Sequence, residues 1–205
     1  MSYCDWSRCD PIVIAYHDNE WGVPVWDDRL QFEYLVLESM QCGLSWTLVM
    51  KKREIFRACF DNFDFEKIAL YDESDVLRIM NTEGMIRSLP KIKAVINNAR
   101  CFIEIRREYG TFCDFLWAFS GGKTILYNHH GDGLIPVSNA LSDRVSSALK
   151  KRGFKFLGTV TVYSYLQACG IINDHGSDCP CYQKINASFP TVKKRREGER
   201  GVKQH

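Results

Sequence analysis

The sequence has no long hydrophobic run. Nowhere in its 205 residues does an apolar stretch approach the length of a membrane-spanning helix, so no membrane association is expected. The opening MSYCDWSRCDP lacks the apolar core of a secretory leader. Charge of one sign is not in excess: 27 Lys and Arg against 25 Asp and Glu leave a net charge of +2. Even that excess is local. Six Lys or Arg and two Glu lie from Lys193 onward, so the rest of the chain carries 21 basic and 23 acidic residues. The bulk composition therefore lacks the basic footprint of a typical nucleic-acid-binding domain. Strand-like alternation is scarce and no segment repeats. With 45% hydrophobic and 25% charged residues, the composition excludes disorder, a collagen-like repeat and a disulfide-dense miniprotein, and the length is ample for a buried core. These absences lead us to expect a soluble, cytoplasmic, mainly helical protein whose thiols stay reduced.

Cysteine is plentiful by contrast, with nine residues. Cys59, Cys101 and Cys169 sit inside apolar helical patterns and read as buried, inert thiols. Cys4, Cys9, Cys179 and Cys181 lie instead near the chain ends among turn-forming residues, with His17 and His175 close by.

Helical periodicity organises most of the chain. Arg29–Gln41 is apolar on nearly every face after Glu33 and reads as a buried helix, with Glu38 as its exceptional carboxylate. A second helix is expected from near Ser45 through VMKKREIFRACF, a third over Lys91–Glu108 with one apolar stripe, and short ones at Asp64–Ala69 and Glu73–Met80. Ser120–Pro136, with four glycines, His129 and His130, reads as a long exposed connection. The residues after Tyr182 lose the apolar pattern. We therefore expect one helical domain over residues 1–187 and a basic, disordered tail over 188–205.

The segment SDRVSSALKKRGFKFLGTVTVYSYLQACG, about 142–169, forms a helix-hairpin-helix candidate. Its first helix is expected to be capped by Ser142 or Asp143. Gly153 and Gly158 permit left-handed backbone, and the second helix starts near Thr159 with unpaired N–H groups suited to a phosphate. Lys150, Lys151, Arg152 and Lys155 surround that spot. From this segment alone, a plain helical hairpin with a solvated basic end fits equally well.

The blocks CDWSRCDPIVIAYHDNEWGVP, LESMQCGLSW, KKREIFRACF, MIRSLPKIKAVINNAR, KKRGFKFLGTVTVYSYLQACGIINDH and CPCY, in order from Cys4 to Tyr182, closely resemble the 3-methyladenine DNA glycosylase I family. The resemblance implies an all-α helix-hairpin-helix glycosylase fold. Its implied activity is hydrolysis of the N-glycosidic bond of 3-methyladenine in alkylated double-stranded DNA, releasing the free base as product. It also implies one structural zinc ion, held by Cys4, His17, His175 and Cys179, that joins segments 4–17 and 175–179. Two thiolates and two imidazoles satisfy the tetrahedral preference of zinc and leave no open position for water. Cys181 is the rival ligand, and Cys9 a weaker one.

The same resemblance places the base pocket at Glu38, Tyr16 and Trp46, with Trp6 and Trp21 as neighbours. Acting on a base in duplex DNA requires extruding it into a pocket of flat and hydrogen-bonding side chains. Leu44, between Gln41, Gly43 and Trp46, is the candidate wedge for the vacated stack. The hairpin residues Lys151, Arg152, Gly153, Lys155 and Gly158 are the candidate DNA contacts, aided by Lys51, Lys52 and Arg53. Methylation at N3 leaves the purine formally cationic, so the leaving group is already activated. No Lys in the second hairpin helix offers a Schiff-base nucleophile, and Asp174, among the clip residues, is given no catalytic role. The reading is a monomeric, monofunctional hydrolase. Its main rival is a non-catalytic helix-hairpin-helix DNA-binding module with the same clip. A zinc hydrolase would need an open coordination position.

Overall fold

The computed structural model describes residues 4–128 and 135–195, with the side chains of Asp5 and Cys9 left aside. His129, His130, the far end of the basic tail and Cys9 as a ligand thus lie outside what is described. Among the described residues no helix is long and apolar enough to cross a membrane.

Helices dominate. After a 3-10 turn at Asp5–Cys9 come α1 (Pro11–Asn19), α2 (Asp28–Gln41), α3 (Trp46–Lys51), α4 (Arg53–Cys59), α5 (Phe65–Ile68), α6 (Glu73–Asn81), α7 (Leu89–Tyr109) and α8 (Phe112–Trp117). Strand β1 (Thr124–Tyr127) follows, then α9 (Ala140–Lys151), α10 (Thr159–Ala168), α11 (Pro180–Ser188) and β2 (Thr191–Lys194). Helix starts carry recognisable caps. Asp10 accepts from the Ile12 amide ahead of Pro11, Asp27 accepts from Leu30, and Asp72 forms a capping box with Asp75.

α2 is the central helix. Every residue from Gln31 to Met40 is buried, which explains why its sequence shows no polar face. Its buried polar groups are matched. Gln31 donates to the Val25 carbonyl at 2.9 Å and accepts from the Tyr165 hydroxyl, while Glu33 receives Arg53 at 2.6 Å and Arg57 at 2.8 Å. Its Phe32 packs against Phe65 and Phe102, and Phe102 stacks on Phe112 at 4.1 Å.

Four expectations need correction. The stretch from Ser45 to Phe60 is not one helix; it breaks at Lys52 between α3 and α4. The first hairpin helix begins earlier than Ser142, capped by Asn139 in a capping box with Ser142. The Ser120–Pro136 connection is not simply exposed, because Thr124, Ile125 and Leu126 are buried in β1. Residues 191–194 of the expected disordered tail form β2, parallel to β1 with Thr124 opposite Thr191. Strands of four residues are too short to reveal alternation, which hid both. Pairing satisfies backbone groups that would otherwise be buried unbonded. β1 also exchanges hydrogen bonds with the segment that follows α10, from Ile125 to Ile171 at 2.8 Å and from Asn173 to Ile125 at 3.1 Å. This fixes the approach to His175.

Candidate base pocket and metal clip

Tyr16 and His17 are consecutive on α1, and both are buried. Neighbouring helical residues diverge by about 100°, so one short helix serves two sites. His17 points to the chain termini, where it meets Cys4, His175 and Cys179, with the four ligand atoms within 4.8 Å of one another. His17 Nε2 lies 3.1 Å from His175 Nδ1. Cys179 Sγ lies 3.6 Å from His175 Nδ1 and 3.8 Å from His17 Nε2, and Cys4 Sγ lies 3.8 Å from His175 Nδ1. A tetrahedral ion with zinc bond lengths would set nitrogen pairs about 3.3 Å apart and nitrogen–sulfur pairs about 3.6 Å apart.

The outer nitrogens of both rings already face acceptors: His17 Nδ1 is 2.8 Å from Asp18 Oδ1, and His175 Nε2 is 2.9 Å from the Trp21 carbonyl. Each ring therefore turns a lone pair toward the cluster, as metal-binding imidazoles do. Burial pushes the His175 pKa down to about 4 and, with the neighbouring Cys179 and Cys181 opposing a bond from the Gly176 amide, the Cys4 thiol up to about 12. His175 is thus held in the neutral, ligating form, and a cation is the natural partner for the thiolates. This donor set fits a four-coordinate metal. Cys181 sits to one side, its sulfur 3.7 Å from the Asp18 carbonyl, in a second group with His17 and Asp18. Sequence reasoning missed Gly22: with φ +79°, a Cβ there would lie 3.0 Å from His175 Nε2.

Tyr16 points inward. Its ring lies 5.2 Å from Trp46, 6.4 Å from Tyr34 and 6.5 Å from Trp6. Trp6 packs edge-on to Trp21 at 4.9 Å, and Trp21 meets His17 and His175 at 5.9 and 4.5 Å. One aromatic cluster thus joins pocket and clip. Glu38 is buried on α2. Burial first, then the charge of Glu38, raises the Tyr16 hydroxyl pKa well above its ordinary value, so it stays a neutral donor. Among the described residues, Tyr16 Oη and Trp46 Nε1 are buried with no hydrogen-bond partner. Two unpaired donors beside a buried carboxylate are costly for a folded protein and useful for a polar planar ligand. Behind them Tyr34 donates to Glu20 at 3.0 Å, and Arg53 pairs with Glu20 at 2.8 Å.

α2 runs into the Gln41–Leu44 turn. The Leu44 amide donates to the Gln41 carbonyl at 2.7 Å, and the Gln41 side chain returns a bond to the Leu44 carbonyl at 3.0 Å. Leu44 is half-buried and Gly43, at φ +78°, is exposed. The hairpin of α9 and α10 lies against this turn: the Cys42 sulfur is 3.4 Å from Thr161 Oγ1 and 3.8 Å from the Phe156 carbonyl. Asn97 donates to the Gly153 carbonyl, and Asn98 bonds both the Lys155 carbonyl and amide, at 3.0 and 2.8 Å.

The methyladenine glycosylase family model matches residues 6–182. The chain belongs to the methyladenine glycosylase family. It is 48% identical over 182 residues to DNA-3-methyladenine glycosylase 1 of Escherichia coli strain K12, covering 89% of this chain and 97% of that protein. A crystal structure of 3-methyladenine DNA glycosylase I matches with a TM-score of 0.83 at 48% identity, over 88% of this chain and 99% of that one. A Tyr-to-Phe variant of 3-methyladenine DNA glycosylase I in complex with 3-methyladenine matches with a TM-score of 0.83 at 36% identity, over 88% and 97%.

In this member of the methyladenine glycosylase family, several basic residues expected at the DNA are engaged elsewhere. Arg152 pairs with Glu108 at 3.1 Å, bonds the Tyr109 hydroxyl at 2.9 Å and lies 4.9 Å over the Phe115 ring. Arg53 is buried in its ion pairs, and Lys51 pairs with Asp10 at 2.6 Å. Lys150, Lys151 and Lys155 remain exposed. Gly158 is extended at φ −68°; the left-handed positions are Gly153 at +91° and Phe156 at +57°. A Cβ on Gly158 would still meet nothing within 4 Å, which leaves the start of α10 open to close approach. Asp174 is buried and accepts from Tyr163 and Gln167 at 2.7 Å each, as a structural carboxylate does.

Proposed function

We propose that the chain is a monofunctional 3-methyladenine DNA glycosylase that acts as a monomer on alkylated duplex DNA. It flips the damaged nucleotide into the Tyr16–Glu38–Trp46 pocket and releases the free base, leaving an abasic site. The observation that carries this reading is the pair of buried, unpartnered donors, Tyr16 Oη and Trp46 Nε1, beside buried Glu38. The pocket offers faces for stacking, donors for ring nitrogens, and a carboxylate for the cationic purine.

The chemistry asks little of the protein. Breaking the C1′–N9 bond returns its electron pair to the base, which leaves neutral. Water bonds to C1′ and gives its proton to solvent. Selectivity comes from charge: the buried carboxylate favours the cationic base over neutral adenine, and a site of fixed polar groups rejects ligands that leave them unpaired. Cys4, His17, His175 and Cys179 would hold one structural zinc ion, which supplies only cross-linking of the two chain ends. Leu44 fills the stack, and Lys151, Lys155 and the open start of α10 at Gly158 meet the phosphate backbone.

Titration with free 3-methyladenine, followed by tryptophan fluorescence, tests the pocket. Binding should quench Trp46, exclude adenine and weaken at least tenfold in Glu38→Gln, in line with losing a charged hydrogen bond. A Glu38→Gln variant that binds the free base as tightly as the parent chain contradicts the recognition role.

A further inference from the structure

The Gln41–Leu44 turn has the dihedrals of a type II turn. Cys42 sits at φ −47°, ψ 112°, and Gly43 at φ +78°. In this turn the central carbonyl, that of Cys42, points the opposite way from its direction in the commoner type I turn. A flip of that one peptide would convert one form to the other, reversing the carbonyl and N–H that precede Leu44 while the flanking chain stays nearly in place. Gly43 permits the type II form but does not enforce it, since glycine accepts both signs of φ.

Something else holds the peptide. Lys91 Nζ, half-buried on the first turn of α7, donates to the Cys42 carbonyl at 2.6 Å and to the Met40 carbonyl at 2.7 Å. The second is among the orphan carbonyls at the C-terminal end of α2, where positive charge is favourable. On its own helix the placement is unfavourable, because a cation in a first turn opposes the dipole. A residue that breaks a local rule on α7 to serve the end of α2 points to a role outside its own element.

We propose that Lys91 is the positioning residue of the wedge. Its ammonium group bridges the Cys42 and Met40 carbonyls, pinning the Gln41–Leu44 turn to the end of α2 and so holding the backbone from which Leu44 enters the base stack. The Cys42 sulfur, beside Thr161 and the Phe156 carbonyl, ties the same turn to the hairpin, so wedge and phosphate anchor keep a constant spacing. The inference rests on the reading of the chain as a base-flipping glycosylase with Leu44 as wedge.

Single-turnover base release by Lys91→Met, Lys91→Arg, Leu44→Ala and the double variant, on methylated duplex and methylated single-stranded DNA, tests it. A misplaced wedge matters only where a stack must be filled. Lys91→Met should slow release from duplex about ten- to a hundredfold and leave single-strand release and free 3-methyladenine affinity within about twofold. The retained affinity also shows that the variant folds. Lys91→Arg should recover part of the duplex rate, and Leu44→Ala/Lys91→Met should be no slower than Leu44→Ala, since coupled residues are non-additive. The Leu44 amide of Lys91→Met should exchange with solvent about tenfold faster, reading the turn without any catalysis. Equal losses on both DNA forms, or unchanged Leu44 exchange, overturn the proposal. So does a salt slope of DNA binding reduced by about one with the duplex rate intact, which would make Lys91 a phosphate ligand. A parent chain that releases no base from either DNA instead refutes the glycosylase reading, while Leu44 exchange still decides the positioning.

Discussion

Tyr16 Oη is buried with no partner among the described residues, and leaving a hydroxyl in that state costs on the order of 1–3 kcal/mol. Removing it should therefore help the fold and harm the site. Tyr16→Phe is predicted to keep or raise the melting temperature, by up to about 1 kcal/mol of stability, while weakening free 3-methyladenine binding. A melting temperature lowered in step with binding would mean that Tyr16 is ordinary core. Gly22 gives the opposite case. A methyl group at its positive φ, 3.0 Å from His175 Nε2, must strain the backbone and push the imidazole. Gly22→Ala should lose about 1–3 kcal/mol of stability and bind zinc more weakly, by melting and metal content. The importance of Gly22 was not legible in the sequence, because it comes from a ring 153 residues further along the chain. Glu38 stood out in the sequence, because a lone carboxylate on an apolar helix is conspicuous, and it is buried as that pattern implies.

Element by element, long periodic helices were readable and their ends less so. α7 and α6 match the expected ranges within a few residues, whereas α3 and α4 part at Lys52 without any proline or glycine to announce it. The hairpin was readable as two helices around a glycine turn, yet its restraint was not. Asn98 is fully buried and bonds both backbone groups of Lys155, a contact 57 residues apart. Asn98→Ala should cost about 2–3 kcal/mol for two lost bonds and two stranded backbone groups. It should weaken DNA binding while sparing free 3-methyladenine binding; equal weakening of both would contradict the division of labour. The clip makes a pH prediction. With the His175 pKa lowered to about 4 from an ordinary 6.5, the unfolded chain binds a proton between those values that the folded chain refuses. Stability of the chelated protein should therefore rise with pH from about 4 to about 6.5 and level off above. Denaturant unfolding across that range checks it, and a flat profile would exclude a buried neutral His175.

At the scale of the molecule, bulk charge is a poor guide. The body is slightly acidic, and several of its Lys and Arg residues serve internal pairs: Arg53 and Arg57 on Glu33, Arg152 on Glu108, and Lys51 on Asp10. Lys150, Lys151 and Lys155 stay exposed on the hairpin, the narrow set that the proposed function assigns to the phosphate backbone. Fold class was legible because helical periodicity covers most of the chain. The two short strands were not, because their order comes from pairing 67 residues apart between Thr124 and Thr191. The cluster of Cys4, His17, His175 and Cys179 was legible only once the family was recognised, since its members lie at opposite ends of the sequence.

Base release from duplex DNA separates an enzyme from a binding module. Chromatography of the bases released from methylated duplex DNA by the intact chain should show free 3-methyladenine accumulating, with abasic sites in equal number, no strand cleavage, and strong suppression in Glu38→Gln. Tight binding to the same DNA with no base released would contradict the enzyme assignment and leave a binding module in its place.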